Sequence, residues 1–317
     1  MRLARNSWVL LLLVACGSSS NPGAPPPWAD GTRAPVGSTS STPADGGTSG
    51  ASGNNGPATP DAAPPPAPVY VKYTNENMTH AGRTRTYILA MPVSYDPTRA
   101  YPLVLAFHGN PGTAVGLRDD APFDTASRDE AIIAYPQSAQ DSNWDLYTPL
   151  VENRDMYFVQ ALVAEIATKA NVDRSRVYGF GFSGGAFFVA QVACRIGGVF
   201  KAVAAHSGGG PDEPLIGDAA RQPNGCILCA GGATASIVIH GASDTEVVPE
   251  SGAYTAKCFA STNTCSAGLV ASTPQPCLRF SGCPADKPVD TCTIPGLGHA
   301  VWAEGLAASW RFFRSIT

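Results

Sequence analysis

The chain of 317 residues has no run of five or more basic residues, and only 15% of it is charged, for a formal net charge of −4 at pH 7. It therefore offers nucleic acid or heparin no cationic stripe. It has no apolar stretch near the roughly 20 residues that cross a bilayer, which argues against an integral membrane protein. It has only five histidines, so candidate general bases can be taken one at a time. What it has in excess is Gly (33) and Pro (28), together with nine Cys. That excess implies that part of the chain forms no packed core. The length suits one large domain or two small ones.

The amino terminus sets the compartment. Arg2 and Arg5 precede the apolar run Val9 to Ala15, and Cys16 follows, which is a secretory signal pattern too short to span a membrane. Leu13-Val14-Ala15-Cys16 resembles the lipobox of bacterial lipoproteins. That resemblance implies cleavage before Cys16, a diacylglycerol on its sulfur, and anchoring at the cell envelope. The alternative is an ordinary signal peptide and a secreted protein. Residues 17–68 hold 12 prolines and 9 glycines, and their only large apolar side chains are Trp28 and Val36. Such a segment cannot offset its ordering entropy by burial. It reads as a disordered spacer with a reach of about 40 Å.

Beyond Cys16 eight cysteines remain: Cys194, Cys226, Cys229, Cys258, Cys265, Cys277, Cys283 and Cys292. In an exported chain they read as up to four disulfides, with on the order of 100 possible pairings. Cys226 and Cys229 form a CxxC, but no second pair has matching spacing, so neither zinc nor redox chemistry is expected.

Residues 69–317 are long enough for one domain with a sizeable core. Strands are expected at Val69–Tyr73, Thr84–Ala90, Leu103–Phe107, Ala131–Tyr135, Arg176–Phe180, Phe200–Ala205 and Ile237–His240. Met156, Val159, Leu162, Val163 and Ile166 recur at helical spacing, with Asn153 or Asp155 as the cap. Helices are also expected over residues 184–196 and Trp302–Phe313. Strands alternating with helices imply an α/β fold, with a mainly parallel sheet covered on both faces.

The chemical signal lies at strand ends. Gly181-Phe182-Ser183-Gly184-Gly185 is G-x-S-x-G between an expected strand and an expected helix, the context of the α/β-hydrolase nucleophile elbow. A serine hydroxyl needs a base to take its proton. His80 lies near an early hairpin. His108 and His240 sit at strand ends, where structural histidines are common, and His206 ends a strand that could line a pocket. His299, in Gly296-Leu297-Gly298-His299, precedes the last helix, where this fold delivers its base. The acid should lie between Ser183 and His299 in the chain. Asp244 follows the Ile237–His240 strand directly and is preferred over Asp212, Asp218, Glu250, Asp286 and Asp290. Oxyanion donors are expected from the backbone N–H groups of Gly184 and Asn110, since Pro111 has none.

These motifs form an ordered series. It runs from Pro102-Leu103-Val104 to His108-Gly109, then Tyr135-Pro136-Gln137, Asn143-Trp144, Asp155, and Asp173 to Val177. It continues through the elbow, Gly241-x-x-Asp244-x-x-Val247, and the His299 loop. Over about residues 70–315 the chain resembles the secreted poly(3-hydroxybutyrate) depolymerase-like esterases. That group is allied to the feruloyl and acetylxylan esterases of carbohydrate esterase family 1. The resemblance implies an α/β-hydrolase fold without a large separate lid, and a Ser183, Asp244 and His299 triad. The chain departs from the group at Asn110-Pro111, at Val248, and in the spacing of Trp302, which bears on pocket shape. Ester hydrolysis through an acyl-enzyme is expected, with no metal or organic cofactor. The expected partner is an ester substrate: a polyester, an acylated polysaccharide or a small ester. Nucleic acid is not an expected partner, membrane contact is through the lipid alone, and the chain is expected as a monomer. His108, Trp144, Tyr147, His206 and Trp302 are candidate pocket residues, and a Cys283–Cys292 disulfide is expected to hold the histidine loop. A serine peptidase on the same fold and a non-catalytic binding lipoprotein are the competing readings.

Overall fold

Strand β1 (Val71–His80) and strand β2 (Arg83–Pro92) form an antiparallel hairpin that turns at Ala81-Gly82, both at positive φ. The computed structural model describes residues 68–139, 142–211 and 221–316. The signal segment, Cys16 and all but the last residue of the spacer lie outside the described residues, as do Asp212 and Asp218. β1 runs seven residues past its expected end at Tyr73. Its outer half, Thr74–His80, is polar and alternates between exposed and half-buried. An edge strand that buries so little needs no apolar pattern, so its extension leaves no hydrophobic trace.

The central strands do leave one. Strands β3 (Tyr101–Phe107), β4 (Ile132–Pro136), β6 (Ala202–His206) and β7 (Ala235–Gly241) are buried throughout, and β5 (Val172–Phe182) is buried from Val177 to Gly181. Three further strands follow, β8 (Leu269–Ala271), β9 (Leu278–Phe280) and β10 (Val289–Ile294). The sheet order is β1-β2-β4-β3-β5-β6-β7-β10-β9-β8, with the six strands from β4 to β10 mutually parallel and an antiparallel pair at each edge.

Successive strand residues point to opposite faces, and the core divides accordingly. Leu103, Leu105 and Phe107 join Leu162 of α3 (Met156–Lys169), Phe188 of α4 (Gly184–Arg195) and Phe259 of α5 (Pro249–Thr262) on one face. Val104 and Ala106 join Leu117 of α1 (Ala114–Asp120) and Trp310 and Phe313 of α6 (Gly305–Ser315) on the other. A single-turn helix, α2 (Asp124–Ser127), packs beside α6. The helix expected from Trp302 begins at Gly305 instead, because residues 302–304 form a turn closed by Gly305 N–H on the Trp302 carbonyl at 2.7 Å. At the start of α3 the cap is Asn153, whose Oδ1 accepts from the N–H groups of Asp155 and Met156 at 3.0 Å each. The Asp155 carboxylate caps nothing and pairs instead with Arg85.

All eight cysteines pair: Cys194–Cys229, Cys226–Cys258, Cys265–Cys283 and Cys277–Cys292. The Cys283–Cys292 bridge is thereby corrected. In the β9–β10 register Leu278 faces Thr291, so the next residue outward on each strand brings Cys277 against Cys292. Cys283 lies beyond β9 and reaches the end of α5 at Cys265. The two cysteines of the CxxC take different partners, which leaves no dithiol and no metal site between them. Peptide mapping of the unreduced protein should recover these four pairs. Because the Cys277–Cys292 loop spans 15 residues, Cys277→Ser should cost about 3 kcal/mol in urea unfolding. A loss below about 1 kcal/mol would show that the bridge constrains little.

Candidate active site

The end of β5 and the start of α4 meet at Ser183, which is held at φ +53° and ψ −122°. L-residues adopt that region rarely, and such strain is kept where the surroundings enforce it. Here Ser183 N–H donates to the His206 carbonyl at 2.9 Å, and the Ser183 carbonyl accepts from Ala186 and Phe187. The helix then presses onto β3 so closely that a Cβ on Gly185 would lie 2.1 Å from the Phe107 carbonyl oxygen.

His299 Nε2 lies 2.9 Å from Ser183 Oγ, and His299 Nδ1 lies 2.8 Å from Asp244 Oδ2. With Nδ1–H donated to the carboxylate, Nε2 is left to accept the serine proton. Asp244 stands three residues past the end of β7, and its Oδ1 accepts from Glu246 N–H and Val247 N–H at 3.0 Å each. Burial alone would raise this carboxyl; the donors from His299, Val247 and Glu246 outweigh burial and hold it below the usual carboxylate range. His240 Nε2–H donates to the Val247 carbonyl at 2.8 Å and lies 3.3 Å from Asp244 Oδ2, which closes the turn that carries Asp244. His299 rides on the loop after β10. Ser243 N–H fastens that loop at the Leu297 carbonyl, the Ser207 hydroxyl fastens it at Ala300, and the Phe182 ring lies 5.1 Å from the imidazole.

The other face of Ser183 meets the loop after β3. A Cβ on Gly184 would fall 2.8 Å from Asn110 N and 2.4 Å from Asn110 Cγ. Only glycine permits this approach, which sets the backbone of Asn110 against that of Gly184. The Asn110 side chain is itself fixed: its Oδ1 accepts from Trp144 N–H at 2.9 Å, and its Nδ2 donates to the Trp144 carbonyl at 3.3 Å.

Three of the expected pocket residues turn out to be internal. His108 is buried, with Nδ1–H donated to the Gly109 carbonyl and Nε2 accepting from Ser138 N–H and the Gln137 side chain. Burial lowers it to about 4, which keeps it neutral. Trp144 stacks on Phe188 at 4.5 Å and donates its indole N–H to the His108 carbonyl at 2.8 Å. His206 donates Nε2–H to Ser309 Oγ, and burial lowers it to about 3. These three brace the site from behind and present no ring to a ligand. Trp302 is half-exposed and Tyr147 is exposed. The sequence reading missed the roles of Phe182, which was visible as the x of G-x-S-x-G, and of the Asn110 side chain, which carried no signal. Among the described residues no cluster of His, Cys, Asp and Glu is arranged to hold a metal.

No family model matches the chain. A probable feruloyl esterase C of Aspergillus oryzae is 26% identical over 256 residues, spanning 75% of this chain and 86% of its own length. Feruloyl esterase C of Emericella nidulans is 27% identical over 248 residues, spanning 72% and 83%. Among solved structures, an acetyl xylan esterase from Aspergillus awamori superposes with a TM-score of 0.61 at 19% identity, covering 76% of this chain and 99% of its own. A ferulic acid esterase from Anaeromyces mucronatus superposes at 0.51 and 15% identity, covering 78% and 91%. The chain therefore shares the fold of these esterases and is similar in sequence to the fungal feruloyl esterases over about three quarters of its length.

Proposed function

We propose that the chain is an exported serine esterase acting on acylated polysaccharide, with feruloyl esters its leading substrate class. The observation that carries the mechanism is the line from Ser183 Oγ through His299 to Asp244, at 2.9 and 2.8 Å. Ser183 attacks the ester carbonyl while His299 Nε2 takes its proton. Asp244 fixes the tautomer and stabilises the imidazolium. The N–H groups of Gly184 and Asn110 receive the oxyanion. His299 then protonates the leaving alcohol, and water releases the acid in a second round. The feruloyl assignment rests on the relatives named above. The four disulfides suit an oxidising compartment, and the chain is read as a monomer tethered through Cys16. Mass spectrometry of the mature amino terminus should find a lipid-modified Cys16; an unmodified terminus at another residue would replace the anchor with plain secretion.

The test is a substrate panel for the oxidised protein: methyl ferulate, acetylxylan, hydroxybutyrate oligomers, p-nitrophenyl acetate through octanoate, and peptide anilides. Release of ferulate with little peptide cleavage is the expected result. Cleavage of the peptides alone would move the assignment to a peptidase. Turnover of none of the panel would move it to a binding protein.

A further inference from the structure

We infer that the buried Arg85–Asp155 pair is a positioning device for the oxyanion donor at Asn110. This inference rests on the serine-esterase reading above. Asp155 and Arg85 have side-chain exposures of 0% and 4%, with Arg85 Nη2 2.6 Å from Asp155 Oδ1. A buried ion pair is weak evidence for stability, since desolvation offsets its attraction, so its other bonds carry the argument. Asp155 Oδ1 also accepts from Ala139 N–H at 3.1 Å, and Oδ2 accepts from Asp145 N–H at 2.9 Å. Arg85 donates further to the carbonyls of Arg154 at 2.9 Å and Gln137 at 3.0 Å, and its guanidinium lies 3.6 Å from the centre of the Phe158 ring. One pair thus joins β2, the turn after β4, the loop at Asp145 and the start of α3.

Two of those segments grip the oxyanion loop. Gln137 and Ser138, beside the Arg85 and Ala139 contacts, hold the His108 ring. Trp144, beside Asp145, holds the Asn110 side chain through both of its backbone groups and the His108 carbonyl through its indole. The residues that fix His108 to Asn110 are therefore neighbours of residues fixed by Asp155. Neither Asp155 nor Arg85 bonds to Ser183, His299 or Asp244, so the pair acts through Asn110. A displacement of about 1 Å at a donor is enough to weaken transition-state stabilisation, while ground-state binding of a small ester needs little from it.

The experiment compares Asp155→Asn, Asn110→Ala and the double variant with wild type, using p-nitrophenyl acetate and the rate at which a fluorophosphonate labels Ser183. The expected result is a fall in kcat of about 10- to 100-fold for each single variant, with KM within about twofold, smaller than the loss of a whole oxyanion donor. Labelling should slow in the same proportion. The double variant should be little worse than the poorer single one, because both act through one contact. A folded Asp155→Asn protein with unchanged kcat would overturn the inference, as would losses that multiply. Should Asp155→Asn fail to fold, Asn110→Ala decides: it keeps the backbone N–H and loses only the clamp, so an unchanged kcat overturns the proposal. A wild-type protein that neither turns over esters nor takes the label would instead overturn the serine-esterase reading and this inference with it.

Discussion

Replacing Ser183 by alanine is expected to lower kcat for p-nitrophenyl acetate by about 10⁴-fold or more while the protein stays folded. The change removes one atom, Oγ, which His299 Nε2 faces at 2.9 Å. It removes none of the bonds that shape the turn. Ser183 N–H still donates to His206, and the Ser183 carbonyl still accepts from the first turn of α4. Alanine also leaves the backbone in the same strained region, at φ +53°, so thermal unfolding should move little. KM should change far less than kcat, because the lost interaction is covalent and absent from the ground-state complex. Fluorophosphonate labelling should vanish together with turnover. An alanine variant that still hydrolyses the ester at a comparable rate would mean that another group is the nucleophile, and the triad reading would fall.

Much of this arrangement was legible in the sequence where burial was two-sided or geometry was tight. β3, β4 and β7 read as short apolar runs because both of their faces are covered. The elbow was legible because close approach demands glycine around Ser183, where strand meets helix. His299 followed from having only five histidines to weigh and from chain order. β10 was not legible: Val289-Asp290-Thr291-Cys292-Thr293-Ile294 looks polar, yet Asp290 is buried because Arg279 and Ser272 satisfy it. α5 was missed because its buried face is made largely of Gly252, Thr255, Ala256 and Ala260, which give little hydrophobic periodicity. The pocket residues failed for a different reason. Composition marks His108, Trp144 and His206 as able to bind, but only packing decides that they face inward. Arg85 and Asp155 are 70 positions apart, so no local pattern could join them.

Asp244→Asn should lower kcat by about 10⁴-fold, nearly as much as loss of the nucleophile, and the reason lies in what surrounds the carboxylate. Both of its oxygens face only donors: Glu246 N–H and Val247 N–H at Oδ1, and His299 Nδ1–H at Oδ2, with His240 Nε2–H at 3.3 Å. An amide has one acceptor oxygen and one donor nitrogen, so one side must be mismatched. The oxygen turned toward Glu246 and Val247 keeps two bonds, and the NH₂ group then faces His299. The imidazole can meet it only by accepting at Nδ1, which places its proton on Nε2. In that tautomer Nε2 has no lone pair for the serine proton, and the base is lost although every heavy atom stays near its place. Stability should fall only modestly, because the turn at residues 244–247 keeps its two backbone bonds and the His240 bond to Val247. The variant should therefore unfold cooperatively and bind substrate while acylating slowly at neutral pH. Its rate should climb as pH rises and hydroxide lessens the need for a general base. A variant with wild-type kcat at neutral pH would show that Asp244 does not set the His299 tautomer.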